Sequence, residues 1–310
     1  MVHSHDNGHG HGDGHGHSHA PEDFGRAFAI GTALNIGFVI VEALYGFWSN
    51  SMALLADAGH NLSDVFGLLM AWGASVLAKR APSSRYTYGL GASSILAALA
   101  NAIFLLLAVG AIAWEAVQRF GAPVSVASTT VMAVASIGIV INGFTAWLFA
   151  SGGKADINIR GAYLHMAADA VVSFGVVLAG LAILVTGWLW IDPLVSLVIS
   201  AVIVAGTWGL LRDSLALAMH AAPSGIDPAR VRDALLALPG VASCHDLHIW
   251  PMSTTETALT CHLVIPAGHP GDAFLVRAAD ALHDQFEIRH ATLQIEIVAC
   301  AGCSLHAAAK

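Results

Sequence analysis

Six long apolar runs, each broken by few polar positions, fill most of the chain before residue 212: 27–48, 52–78, 93–118, 126–150, 161–186 and 191–211. Each reaches the roughly 20 residues that an α-helix needs to cross a bilayer. After residue 217 the pattern changes. Val231, Leu235 and Leu238 recur at helical spacing, with Asp227 placed as N-cap and Pro228 in the first turn. Residues 241–250 and 257–265 read as strands around a turn at 251–255, and 272–286 as a second helix. Residues 291–298 alternate, which predicts a strand with Leu293, Ile295 and Ile297 inward and Thr292, Gln294 and Glu296 outward. The order αββαβ predicts a small sheet with helices on one face. The expected fold is therefore a mostly α membrane protein, six transmembrane helices followed by a C-terminal α+β domain. The expected boundaries are a tail at 1–23, a membrane domain at 24–217 and a soluble domain at 218–310.

Composition supports the membrane reading. Of 310 residues, 56% are hydrophobic and 11% are charged, against roughly 25% charged in soluble domains. Lys79, Arg80 and Arg85 fall between the second and third runs, Lys154 and Arg160 between the fourth and fifth, and Arg212 after the sixth. Arg119 is the basic residue of the opposite loops. Basic loops stay in the cytoplasm, so both termini are expected there. The first residues form neither a basic n-region nor an early apolar core, so they are not expected to act as a signal peptide. A net charge of −8 argues against nucleic acid as a partner.

The tail is low in complexity, with His3, His5, His9, His11, His15, His17 and His19 set among Gly, Ser and Asp. Such a segment buries too little to order itself and is expected to be disordered. Neutral imidazoles suit zinc, nickel and copper, so metal capture is its expected role, with a passive solubilising tail as the alternative.

Ionisable groups at membrane depth are costly and mark function. The second run holds His60-Asn-Leu-Ser-Asp64 and the fifth holds His165-Met-Ala-Ala-Asp169. In each pair the i,i+4 spacing puts both side chains on one helix face. Packed together, the two helices would offer the four ligands that tetrahedral zinc takes. Two carboxylates neutralise a divalent cation, and two neutral imidazoles add no charge. Asp57, one turn before His60, either guides ions or caps its helix, and Glu42 and Asn35 are expected to hydrogen-bond between helices. Gly152-Gly153-Lys154 lacks the upstream glycine of a phosphate loop. Energy must then come from an ion gradient, and protons compete for the same ligand atoms. A zinc protease would need His-Glu-x-x-His on one helix, which is absent. The chain is not expected to be an enzyme.

The stretch from Glu42 through Asp57, His60 and Asp64 resembles the second-helix signature of the cation diffusion facilitators. Arg85-Tyr-Thr-Tyr-Gly89, Ile95-Leu-Ala-Ala-Leu, Ala162-Tyr-Leu-His165-Met-Ala-Ala-Asp169 and Asp192-Pro-Leu-Val-Ser carry the same resemblance. It implies a homodimer in the membrane lipid, a ferredoxin-like cytoplasmic domain that dimerises and regulates, and proton-coupled export of metal from the cytoplasm. It implies His60, Asp64, His165 and Asp169 as transport ligands, with Zn2+ as transported substrate and regulatory ligand; Co2+, Cd2+ and Ni2+ are the alternative substrates. The expected location is the bacterial inner membrane. Many members carry Arg and an acidic residue where this chain has Ala92 and Ser94, so a cytoplasmic salt-bridge contact is expected to be missing.

The same resemblance places His245, His262 and Glu296 near positions that hold regulatory metal, with Asp246 and His248 close by. Cys244, Cys261, Cys300 and Cys303 lie on the side expected to be reducing, where metal binding outweighs disulfides. Cys300-Ala-Gly-Cys303 is a zinc-type spacing that needs two further ligands, such as His306 or the tail.

Overall fold

The computed structural model describes residues 26–150 and 157–299. The tail histidines, Lys154, Cys300, Cys303 and His306 lie outside the described residues. Six helices come first: α1 (Arg26–Trp48), α2 (Met52–Ala78), α3 (Ser93–Gly121), α4 (Ser128–Ala150), α5 (Ile157–Thr186) and α6 (Ile191–Ala218). The last five contain stretches long and apolar enough to cross a membrane, and α1 contributes the shorter apolar stretch Ala33–Trp48.

The burial pattern is that of a protein solvated by lipid. Leu107, Val140, Val171 and Val185 are exposed on the outside of the bundle, while Glu42, Asp57, Ser63, Asn142, Ser173 and Ser196 are buried inside it. In water this distribution would be costly on both counts; in hydrocarbon it is favourable on both. Phe38, Leu54, Leu105, Val109, Val134, Val176 and Ile203 form the apolar core where the helices meet. Gly138 of α4 lets the helices approach closely there: a Cβ would come within 2.7 Å of the Phe38 ring and 3.0 Å of Ser173 Oγ, so those side chains would have to shift.

The start of α2 is fixed by α6. Asp192 accepts hydrogen bonds from Ser51 Oγ, from Met52 N at 2.7 Å and from Ala53 N at 3.4 Å. Ser51 is the N-cap of α2, accepting from Leu54 N. A buried carboxylate thus satisfies N–H groups left open by the first helical turn. The capping role held open for Asp57 is filled by these two residues. The helix α6 also runs on to Ala218, past the expected end at residue 211, through Arg212 and Asp213. Leaving the lipid removes the need for apolar side chains, but it does not break the backbone ladder.

The second domain contains α7 (Pro228–Leu236), β1 (Ser243–Pro251), β2 (Thr257–Val264), α8 (Asp272–Phe286) and β3 (His290–Glu296). Asp227 caps α7 through Ala229 N, and Pro228 sits in the first turn as expected. The sheet order is β1-β2-β3, with β1 and β2 antiparallel and β2 and β3 parallel across α8. This is the αββαβ, ferredoxin-like α+β arrangement. Val231, Leu235, Ile249, Leu259, Leu263, Phe274, Ala278, Leu282 and Ile288 fill its core.

The expected alternation holds through β3 and lapses only at Ile297, which is exposed; Glu296 keeps to the face opposite the core, with Gln294, and there meets His245 and His262. Ile297 lies past the end of the strand, so pleat parity no longer governs it, and the two imidazoles give Glu296 ionic partners. The two domains meet at the β1–β2 turn, where Thr254 N donates to Ser94 Oγ at 3.0 Å, and the Tyr88 ring stands edge-on to His290. A neutral hydrogen bond donated to Ser94 therefore occupies a place where a salt bridge was expected to be missing.

Candidate metal centre

His60 and Asp64 lie one turn apart on α2, and His165 and Asp169 one turn apart on α5. The bundle brings all four together. His165 Nε2 is 3.0 Å from Asp64 Oδ2 and 3.7 Å from Asp169 Oδ2. His60 Nε2 is 3.7 Å from Asp169 Oδ1 and 3.8 Å from Asp64 Oδ2. The two rings are set edge to face with centroids 5.8 Å apart. Ligand atoms of His60, His165 and Asp169 all lie within 4.8 Å of one another. With zinc bonds of about 2.0–2.1 Å, a tetrahedral shell puts neighbouring ligand atoms roughly 3.3 Å apart. The four His–Asp distances fall on both sides of that edge.

The four side chains are unequally exposed: 36% for Asp64, 40% for His165 and 24% for His60, but 3% for Asp169. Toward the Met52 end of α2, Ala53, Leu54, Ala56 and Asp57 are buried. That side of the site is closed, and it lies away from the end of α2 that leads to Lys79 and Arg80. Glu42 accepts from Asn61 Nδ2 at 3.1 Å, joining α1 to α2, and Asn35 Nδ2 faces the Met166 sulfur at 3.7 Å. Both act between helices, as expected.

A second cluster forms in the soluble domain. His245 on β1 is the register partner of His262 on β2, and their ring centroids are 5.1 Å apart. Glu296, at the end of β3, reaches both: Oε2 is 3.2 Å from His245 Nε2, and Oε1 is 3.0 Å from His262 Nδ1. The three form a group with metal-ligand geometry. Just beyond His245, β1 bulges, and Asp246 takes a positive φ of 52°. Asp246 Oδ2 stands 3.7 Å from His262 Nε2, and Asp246 Oδ1 is 3.2 Å from His248 Nε2.

Cys244 and Cys261 do not join the cluster. Successive strand residues face opposite sides of a sheet, so each cysteine beside a clustered histidine points into the core. The two thiols are hydrogen-bonded to each other. That contact and burial push the Cys261 thiol up, while the contact with Cys261 lowers Cys244. Of the four cysteines, Cys300 and Cys303 were the expected ligands; strand parity, visible in the pairs Cys244-His245 and Cys261-His262, keeps the other two out of the cluster. The role of Asp192 was missed altogether, although its place in a quoted motif was a signal.

Residues 28–217 match the family model described as cation efflux transmembrane domain, and residues 223–298 match that described as cation efflux protein, cytoplasmic domain. The chain is 36% identical over 309 residues to the zinc transporter ZitB of Escherichia coli (strain K12), covering 99% of this chain and 96% of that relative. It is 36% identical over 269 residues to the cadmium, cobalt and zinc/H(+)-K(+) antiporter of Bacillus subtilis (strain 168), covering 84% and 85%. Among solved structures, the metal-bound C-terminal domain of the CzcD transporter from Cupriavidus metallidurans is 42% identical, with a TM-score of 0.22. It covers 23% of this chain and 99% of that one.

Proposed function

The chain belongs to the cation diffusion facilitator family of metal-efflux membrane proteins, and on that premise we propose that it exports Zn2+ from the cytoplasm in exchange for protons. His60, Asp64, His165 and Asp169 are the transport ligands of this reading. The observation that carries it is the meeting of two His-x-x-x-Asp faces inside the bundle, with His–Asp distances of 3.0 to 3.8 Å. Two carboxylates and two neutral imidazoles make a neutral complex with a divalent cation, which limits the cost of holding it away from water.

The contact between His165 Nε2 and Asp64 Oδ2 supports the proton half of the exchange. At 3.0 Å a proton lies between these atoms, carried by one or the other. A metal ion needs the lone pairs of both, so it enters as the proton leaves. Basic residues at Lys79, Arg80 and Arg85 support a cytoplasmic position for the side of the site opposite the closed one. The conformation is then inward-facing, ready to load. The setting is the bacterial inner membrane, with both termini in the cytoplasm. Relatives named for cadmium and cobalt as well as zinc support Co2+ and Cd2+ as second substrates of the same four ligands, and imidazole ligands also suit Ni2+. No step of this cycle makes or breaks a covalent bond in a substrate, so the protein is a transporter and not an enzyme.

The second domain completes the reading as a regulatory and homodimerising unit. His245, His262 and Glu296 hold regulatory Zn2+, and the tail histidines with Cys300 and Cys303 capture metal near the entrance. Full-length protein in proteoliposomes tests the main reading. Under an imposed pH gradient, zinc should move against protons, and collapsing the gradient should stop net uptake. Uptake indifferent to the gradient would sink proton coupling, and absence of zinc movement would sink the transport assignment.

The regulatory site has its own expected outcome. Glu296→Gln keeps the shape of the side chain and removes its charge. Zinc affinity of the second-domain site should fall by more than the roughly 10- to 100-fold that changing a mere outer-shell partner costs. Equilibrium dialysis of full-length protein checks this; a native binding curve in the variant would remove Glu296 from the ligand set.

A further inference from the structure

One helical turn from His60, toward the Met52 end of α2, Asp57 is fully buried, and so is Glu42 of α1. Each carboxyl group has one satisfied oxygen. Asn61 Nδ2 donates to Glu42 Oε2 at 3.1 Å, and Ser173 Oγ donates to Asp57 Oδ2 at 3.0 Å. The other two oxygens, Glu42 Oε1 and Asp57 Oδ1, meet no N–H or O–H donor. The two carboxyl groups are instead in hydrogen-bond contact with each other.

The surroundings offer little to hold two negative charges. Among the described residues, the ionisable side chains acting on the pair are His60 and Asp169. The helix α4, packed against α1 and α5, carries no titratable side chain. On α6, Asp192 is taken up at the start of α2, and on α3, Arg119 is shared between Glu115 and the Asn50 carbonyl. Two ionised carboxylates in contact, away from water and without a Lys or Arg partner, repel strongly. Two oxygens that can only accept also leave each other unsatisfied, which is costly for buried groups.

We propose that Glu42 and Asp57 form a proton-binding site of their own, holding one proton between Glu42 Oε1 and Asp57 Oδ1. The proton turns one of the facing oxygens into a donor, so a single hydrogen bond satisfies both. It also reduces the charge of the pair from two to one, and such a pair titrates as a unit. Asn61 and Ser173 hold the outer oxygens, which leaves the inner two aligned on each other. The site is set apart from the four transport ligands, on the closed side of the metal centre. For its role this inference rests on the exchange reading above. A divalent cation arriving beside His60 and Asp169 makes loss of the shared proton easier, so metal binding and proton release at the pair are coupled, and reciprocally so.

Infrared spectroscopy of purified full-length protein tests the site directly. The native chain at neutral pH should show the carbonyl stretch of a protonated carboxylic acid, weakened on saturation with zinc. Glu42→Gln and Asp57→Asn keep the hydrogen bonds to Asn61 and Ser173, and each should remove that band. Protons released per zinc bound, read with an indicator dye at low buffering, should fall by about one in either variant. If one variant fails to fold, the other carries the same test. A native protein without the band, or a band that survives in both variants, would overturn the proposal. The band decides the proton site whether or not the native protein transports zinc, so failure of the exchange reading is distinguishable from failure of the pair.

Discussion

Asp169→Ala should abolish zinc transport. Asp169 is the most deeply buried of the four proposed transport ligands, with 3% of its side chain exposed. Its removal leaves a divalent cation facing one carboxylate, a net positive charge at a depth where charge is expensive. It also leaves three ligands where zinc takes four. Changing only an outer-shell partner of a metal ligand costs about 10- to 100-fold, so loss of a ligand and its charge should cost on the order of 100-fold or more. Asp64→Ala should also stop transport but retain more zinc affinity, because Asp64 is 36% exposed and water can replace its oxygen. Zinc uptake into proteoliposomes, with zinc binding measured in parallel, checks both. The native rate in either variant would disprove the assignment, and equal affinity losses would refute the argument from burial.

His60→Asp should shift selectivity toward cadmium. The exchange replaces a nitrogen ligand by oxygen and adds a negative charge, giving three carboxylates and one imidazole around the metal. A borderline nitrogen donor favours zinc, and an oxygen-rich, more anionic site discriminates less by ligand type. The shorter aspartate also withdraws a ring now 3.7 Å from Asp169 and 3.8 Å from Asp64, leaving room for a larger ion. The preference for zinc over cadmium should drop about tenfold, equivalent to about 1.4 kcal/mol. A competition assay with both metals reads the ratio in one vesicle preparation. An unaltered ratio would mean that His60 does not set selectivity.

The six membrane helices were legible because lipid imposes a local rule. Every turn of a spanning helix must be apolar on its outward side, so the run lengths showed the helices before any packing was known. Where that rule lapses, the reading failed by a turn or more. The end of α6 was placed at residue 211, yet the helix continues to Ala218 through Arg212 and Asp213. The second domain was legible for a different reason. Asp227-Pro228 announces a helix start, and the alternation from Ala291 to Glu296 announces a strand with one face to the core.

For function, the chain by itself determined the two His-x-x-x-Asp faces, because helical periodicity fixes which side chains share a face over a single turn. It also contained His245, His262 and Glu296, but no local rule joins them. Tertiary structure decided that α2 and α5 bring their faces to within hydrogen-bond distance. It decided that β1, β2 and β3 line up those three side chains while Cys244 and Cys261 turn into the core. It decided as well that Glu42 and Asp57, 15 positions apart on different helices, meet with no donor between them. The physical reason is range. Hydropathy and helical period act over a few residues, whereas a site is made by distances between elements, which only the packing of one helix or strand against another sets.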